Sequence, residues 1–177
     1  MKFDPLIIQT SFQSPLGPIV VAATHRGLAG LWFKGQRHLP AELAGPPVWA
    51  TSSSHPVLQQ TVVQLTEYFA GRLIRFDLPL DLASGTGFQQ AVWQALLVIP
   101  QGKTLSYGEV SSRIGKPTAV RAVGAAIGRN PISIIVPCHR VIGGSGQLTG
   151  YAGGLDRKTA LLQLEGVIAP ENLESLF

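Results

Sequence analysis

The one cysteine among 177 residues, Cys138, lies in the run Ile134-Ile135-Val136-Pro137-Cys138-His139-Arg140-Val141. A single thiol makes no internal disulfide and no cysteine-rich zinc site. It is either a buried inert thiol, as free cysteines commonly are, or a nucleophile. Its position favours the nucleophile. It follows an apolar, strand-like run that Pro137 stops, and a base-capable histidine and a guanidinium come directly after it. Cationic neighbours lower a thiol pKa. In a helical turn, adjacent side chains point about 100° apart, so His139 would take the Cys138 proton through one bridging water. The imidazole would then need an orienting acceptor. Glu165, a lone acid ending an apolar helical pattern, is the candidate. A solvated helix end is the other reading of Glu165, and a satisfied structural histidine is the other reading of His139.

The elements that must position these residues read as two units, 1–82 and 83–177. In the first, residues 7–12, 18–23 and 28–33 are antiparallel strands around turns at Pro15-Leu16-Gly17 and His25-Arg26-Gly27. Residues 34–54, rich in Pro, Gly and Ser, read as a loop. Val57, Leu58, Val62, Leu65 and Phe69 have helical spacing, and Gly71 ends that helix. Alternation of Ile74, Phe76, Leu78 and Leu80 predicts a further strand over 73–80. In the second unit, Thr86-Gly87-Phe88-Gln89 and Ser106-Tyr107-Gly108-Glu109 have the form of capping boxes. They start one helix with Phe88, Val92, Trp93 and Leu96 inward and a shorter one running to about Ile114. A third helix spans Thr118 to Gly128 after the turn Gly115-Lys116-Pro117. Two short helices joined by a Gly-containing turn have the form of a helix-turn-helix, and also of a plain helical hairpin. Residues 132–136 read as a buried strand or extended run, 143–154 as a glycine-rich loop, and Leu155–Glu165 as a closing helix that docks Leu155, Ala160, Leu161, Leu162 and Leu164.

A hydrophobic content of 45% argues for a packed globule. Residues 1–82 hold six Lys/Arg and five Asp/Glu, whereas 83–165 hold eight and three, so the cysteine half carries the basic charge. That suits an anionic partner, nucleic acid first, or an ordinary solvated face. Acid and proline come too early after Met1 for a signal peptide, and no run approaches a membrane span of ~18 apolar residues. A reducing compartment, the cytoplasm, is expected. The third helix is slim: Ala119, Ala122, Gly124, Ala125, Ala126 and Gly128 surround one strong cation, Arg121. Small side chains would let it approach a widened minor groove, whose ordinary width is about 6 Å, or let it pack tightly on another helix.

Taken together, Pro137-Cys138-His139-Arg140-Val141, Gly128-Arg129-Asn130-Pro131, Arg121-Ala122-Val123-Gly124, Ser106-Tyr107-Gly108-Glu109, Thr149-Gly150-Tyr151-Ala152-Gly153-Gly154 and Leu164-Glu165-Gly166 resemble the O6-alkylguanine-DNA alkyltransferases of direct repair. The resemblance is dense from about 86 to 168. It implies an α+β fold: a small N-terminal antiparallel sheet with a helix, then a mainly helical, winged-helix-like DNA-binding and alkyl-acceptor domain. It makes Cys138 the alkyl acceptor, activated by His139 and Glu165, and Tyr107 a proton donor to the leaving guanine that also presses on the DNA phosphate. Arg121 becomes the finger filling the gap left by the flipped base, with Thr118, Ala122 and Ala125 beside it on the DNA face. Asn130 ties the helix-turn-helix to the cysteine turn. The carbonyls of Cys138 and Val141 accept from the guanine amine, Arg140 supports the site, and Tyr151, Ala152 and Gly153 wall the pocket. Ala152 stands where some members have Ser, so a backbone contact there survives and a hydroxyl contact does not. Some members hold structural zinc, but this chain lacks the cysteines for it, so neither metal nor cofactor is expected. The implied partner is double-stranded DNA carrying O6-alkylguanine, with O4-alkylthymine as a second candidate lesion. A monomer near the nucleoid is expected, with cooperative binding on DNA left open. Because the thioether product has no electrophilic carbonyl, one protein would take one alkyl group. A non-enzymatic lesion-binding protein and a thiol hydrolase are the alternatives.

Overall fold

The computed structural model describes residues 1–45 and 48–169. Three strands, β1 (Ile8–Ser14), β2 (Gly17–Thr24) and β3 (Gly27–Phe33), form an antiparallel meander. Ser14 pairs with Gly17 across a two-residue turn. A two-residue strand, β4 (Ala50–Thr51), adds to β1 in parallel, so the sheet order is β3-β2-β1-β4. The sheet is therefore mixed, not purely antiparallel. The segment expected to be all loop supplies this strand and a short 3-10 turn at Ala41–Leu43. Helix α1 (Pro56–Phe69) starts with proline at its first position, where no N–H is missed, and packs on the sheet through Leu58, Thr61, Leu65 and Tyr68.

Residues 73–80 alternate as a strand does but do not join the sheet; only Leu80 bridges, to Leu28. The outer edge of β3 takes two such parallel bridges, Leu28 to Leu80 and Leu31 to Ile132. The second ties the sheet to the cysteine segment: Leu31 N donates to the Pro131 carbonyl at 2.8 Å and Ser133 N to the Leu31 carbonyl at 3.0 Å. An exposed strand edge is thereby covered, and the N-terminal sheet becomes the base on which the cysteine turn is built.

Helices α2 (Gly87–Leu97), α3 (Tyr107–Arg113) and α4 (Val120–Gly128) pack together beside that base. Both capping boxes form. The Thr86 hydroxyl accepts from Gln89 N and Gln89 answers at Thr86 N, while Ser106 and Glu109 do the same. Each satisfies two donors that a helix start leaves unpaired. Trp93 is fully buried and donates from Nε1 to the Ala126 carbonyl, joining α2 to α4. Strands β5 (Leu105–Ser106) and β6 (Val141–Ile142) pair in parallel and set the start of α3 beside the exit from the cysteine turn. Helix α5 (Leu155–Leu164) closes the chain's described part, with Glu165 as its C-terminal cap. Its inward face is Lys158, Leu161 and Leu162, and Leu155 is exposed instead of docked. The larger apolar core runs from Ile19 in the sheet through Leu58, Trp93 and Val123 to Leu161, and a smaller one gathers Ile7, Ala22, Ala29, Trp32 and Trp49.

Candidate active site

The segment before the cysteine is not an extended run. Ile134 has φ +71°, in the left-handed region that β-branched residues avoid. Ile135 N donates to the Ser133 carbonyl around it, a three-residue turn of the rarer, positive-φ kind. Pro137, at φ −82° and ψ 64°, centres a second such turn of the common kind, in which Cys138 N donates to the Val136 carbonyl. Such a backbone costs about 1–3 kcal/mol and persists only where packing dictates it. Here Ile132, Ile134, Ile135 and Val136 are all buried in the core. The two turns deliver Cys138 to the start of a 3-10 turn, Cys138–Arg140, at the wall of a small open pocket.

Asn130 holds that arrangement. Its Nδ2 donates to the Val136 carbonyl at 2.8 Å and to Cys138 Sγ at 3.1 Å, and its Oδ1 accepts from Ile132 N at 2.9 Å. Since Asn130 directly follows α4 and its cap, the amide joins that helix to the thiol.

His139 is completely buried, with its Nε2 2.9 Å from Glu165 Oε1. Glu165 is not a solvated helix end. Its carboxylate is buried and receives Arg140 in a two-pronged pair, Nε to Oε2 and Nη2 to Oε1, each at 2.8 Å. The Tyr68 hydroxyl donates to Oε1 at 2.7 Å. Burial pushes the Glu165 pKa up, but the hydrogen bonds and charges of His139 and Arg140 outweigh it and leave the carboxyl at about 2. Since the carboxylate only accepts, His139 Nε2 carries the proton and Nδ1 is left as the basic atom. Nδ1 is buried without a protein partner. Burial also lowers the His139 pKa, which keeps the ring neutral and ready to accept.

The reading of Arg140 as a cation beside the thiol is corrected. Its guanidinium turns away to Glu165 and to the Ile99 carbonyl. The cation near the thiol is Lys158, which the sequence reading missed. Lys158 is fully buried, and its ammonium donates to the carbonyls of Val141 at 2.6 Å, Thr149 at 2.8 Å and Gly150 at 3.3 Å. Burial lowers its pKa to about 8. The Cys138 pKa is not lowered overall. Burial raises it, against the Asn130 hydrogen bond, the Lys158 charge and the backbone N–H groups of Cys138 and His139. The resting group is thus a thiol that needs a base, not a standing thiolate.

The pocket beside Cys138 is lined by Tyr107, Gly124, Tyr151 and Ala152, and also by Arg37 and His38 from the N-terminal half. Tyr107 is half-buried, and its hydroxyl donates to the Thr149 carbonyl at 3.1 Å. Burial raises its pKa, so it stays a proton carrier at neutral pH. Gly153 leaves no room for a side chain: a Cβ there would lie 2.7 Å from the Tyr151 ring and 3.2 Å from Phe33. The Val141 carbonyl, assigned above to the guanine amine, already accepts from Lys158 and has one lone pair left. Arg121, Ala122 and Ala125 are exposed and recur at helical spacing, so they share the outer face of α4, which starts at Val120; Thr118, expected inside this helix, is exposed in the turn before it. Among the described residues, no group of three or more His, Cys, Asp or Glu could hold a metal ion, and no helix is long and apolar enough to cross a membrane.

Fold and site define a protein with one thiol at a pocket wall and, next to it in the chain, a buried histidine paired with a carboxylate. The family described as 6-O-methylguanine DNA methyltransferase matches in both its parts, the ribonuclease-like domain over residues 7–82 and the DNA-binding domain over 87–167. A methylated-DNA–protein-cysteine methyltransferase of Mycobacterium tuberculosis is 50% identical over 168 residues, covering 95% of this chain and 98% of that protein. One from Methanosarcina acetivorans is 49% identical over 156 residues, 88% of this chain and 96% of that one. The crystal structure of Mycobacterium tuberculosis OGT in complex with DNA superposes with a TM-score of 0.78 at 49% identity, covering 94% of this chain and 96% of that chain. The O6-methylguanine-DNA methyltransferase of Pyrococcus kodakaraensis gives 0.63 at 26% identity over 91% of this chain and 99% of that one. The chain belongs to the 6-O-methylguanine DNA methyltransferase family, proteins of DNA repair that move a methyl group from DNA to a cysteine of their own.

Proposed function

We propose that Cys138 is the acceptor in direct repair of O6-alkylguanine in double-stranded DNA, and that each molecule acts once. The carrying observation is His139, whose Nε2 is committed to an ionised Glu165 and whose Nδ1 is buried and unpartnered. That leaves a base of fixed tautomer next to the chain's one thiol. The Cys138 proton passes through a water to Nδ1, and Glu165 with Arg140 holds the resulting imidazolium in place. The thiolate attacks the alkyl carbon: the Sγ–C bond forms as the C–O6 bond breaks. The leaving guanine takes a proton from the Tyr107 hydroxyl, which regains one from water. A thioether has no carbonyl for water to attack, so the acceptor is not regenerated.

The alkyl group lies within the base stack, so the nucleotide must leave the duplex. Helices α3 and α4 act as a helix-turn-helix, with the small residues Ala122 and Ala125 at the DNA and Arg121 filling the vacated space. Tyr151, Ala152 and Gly153 enclose the base, and Asn130 keeps the thiol at the pocket wall. Residues 83–177 form the DNA-binding and acceptor unit and 1–82 its structural support. The protein works as a monomer in the cytoplasm, at the nucleoid, with O4-alkylthymine a second candidate lesion.

The test is Cys138→Ala. It should bind lesion-containing duplex as the unaltered protein does and accept no alkyl group. Continued transfer by that variant would overturn the assignment, because no second thiol exists.

A further inference from the structure

Two pocket-lining residues have no role in the chemistry above. Arg37 and His38 come from the loop after β3, in the half of the chain treated so far as support, yet both line the Cys138 pocket. The loop is built to hold them there. Gln36 is buried, and its Oε1 accepts from Phe33 N at 2.8 Å. Arg37 N then donates to the Ala152 carbonyl at 2.9 Å. The pocket loop 149–153 is thus fastened to Tyr107 at its start, through Thr149, and to Arg37 near its end, through Ala152. His38 follows at φ +59°, a left-handed conformation uncommon outside glycine, and its ring is exposed.

Arg129, the C-terminal cap of α4, belongs to the same place. After partial burial of the ring, the positive charges of Arg129 and Arg37 are what lower the His38 pKa, so both guanidinium groups lie in its field. Gly128, directly before Arg129, lines the pocket too. Arg26, Arg72 and Arg140 are each paired with a carboxylate. Among the described residues Arg37, Arg75, Arg113, Arg121, Arg129 and Arg157 are not; of these Arg37 lines the pocket and Arg129 lies beside His38, and both are exposed. Unneutralised like charges gathered at one pocket mouth repel one another and gain from an arriving polyanion. Arg121 is exposed in the first turn of α4 and Arg129 is exposed at its C-terminal cap, so unpaired cations stand at both ends of the helix assigned to DNA.

We propose that Arg37, His38 and Arg129 form a phosphodiester cradle at the mouth of the Cys138 pocket, gripping the backbone of the lesion strand beside the extruded nucleotide. The N-terminal half then takes part in substrate recognition and is more than support. The guanidinium groups supply charge and paired N–H donors suited to phosphate oxygens, and His38 adds a ring donor. The cradle acts on the nucleotide's backbone and not on its base, and it rests on the reading of Cys138 as acceptor from DNA.

That distinction sets the experiment. Alkyl transfer to Cys138 is timed with O6-methylguanine in a duplex and with O6-benzylguanine as the free base, which has no phosphate. Duplex affinity is measured across a salt series. Arg37→Ala should slow duplex transfer about tenfold more than free-base transfer and lower the slope of log affinity against log salt by about one unit. Arg37→Lys should keep the slope, since it keeps the charge. The pair Arg37→Ala with Arg129→Ala should lower the slope by about two. Equal losses on both substrates, or an unchanged slope in Arg37→Ala, would overturn the cradle and leave these residues as pocket walls. The parent reading fails differently: the unaltered protein would then label Cys138 with neither substrate.

Discussion

Asn130 Nδ2 lies 3.1 Å from Cys138 Sγ while the same amide closes the turn through Val136 and Ile132. One side chain thus sets both the position of the nucleophile and part of its acidity, because its hydrogen bond favours the thiolate against the burial that disfavours it. Asn130→Ala should raise the thiol pKa, so the transfer rate at neutral pH falls and the rise of rate with pH moves to higher pH. Ile132 N would lose its partner, at about 1–3 kcal/mol for a buried group left unpaired, whereas the Val136 carbonyl would keep the bond from Cys138 N. Thermal unfolding and a pH–rate profile of the same variant separate the two effects. A lower melting temperature with an unshifted profile would confine Asn130 to holding the turn.

Glu165→Gln should slow transfer strongly with the fold retained, and part of the rate should return at high pH, where hydroxide replaces the relay. The linkage has a definite sign. Glu165 has a folded pKa of about 2 against an ordinary value of 4.5. The stability it contributes is therefore present above pH 4.5 and is lost as pH falls toward 2, on the order of 3 kcal/mol in all. Denaturant midpoints measured down that range should fall for the native sequence and fall less for the variant. A near-native transfer rate at neutral pH would remove Glu165 from the relay.

Lys158→Met removes the one buried cation acting on the thiol. The Cys138 pKa should rise and transfer at neutral pH should slow, while free-thiol titration with a small alkylating reagent reads the same shift directly. Lys158 itself is depressed to about 8 from 10.5, so the unfolded chain binds the proton more tightly between those values. Stability from this group must then rise with pH across that window. A methionine variant with the same pH dependence of stability there would show that Lys158 is not the titrating group.

Local chemistry was legible in the sequence. The two capping boxes, the β1–β2 turn and the stop of α5 at Gly166 each depend on residues within a few positions, and they form as read. What depends on distant partners was not legible. Ile132 to Val136 has the composition of a strand, yet pairing with β3 reaches only Ile132, and core packing holds Ile134 in a turn. Residues 73–80 alternate as a strand does, yet beyond Leu80 no neighbouring strand pairs with them. The burial of Glu165 is set by Tyr68, 97 positions away, and by a guanidinium that the sequence placed beside the thiol. For Lys158 a signal existed. It lies seven residues before Glu165, two turns along the same helix face, and a lysine on a docking face needs acceptors. Arg37 and His38 gave none, since their place depends on how the loop after β3 meets residues 150–152.

The central claim is that this protein takes one alkyl group from DNA onto Cys138. Intact-protein mass spectrometry after incubation with excess O6-methylguanine duplex tests it most directly, with peptide mapping to place the adduct. The account predicts a gain of one methyl group per molecule, on Cys138, with no further gain however much substrate is added. Released methyl groups outnumbering protein molecules, or an adduct on any residue other than Cys138, would contradict it.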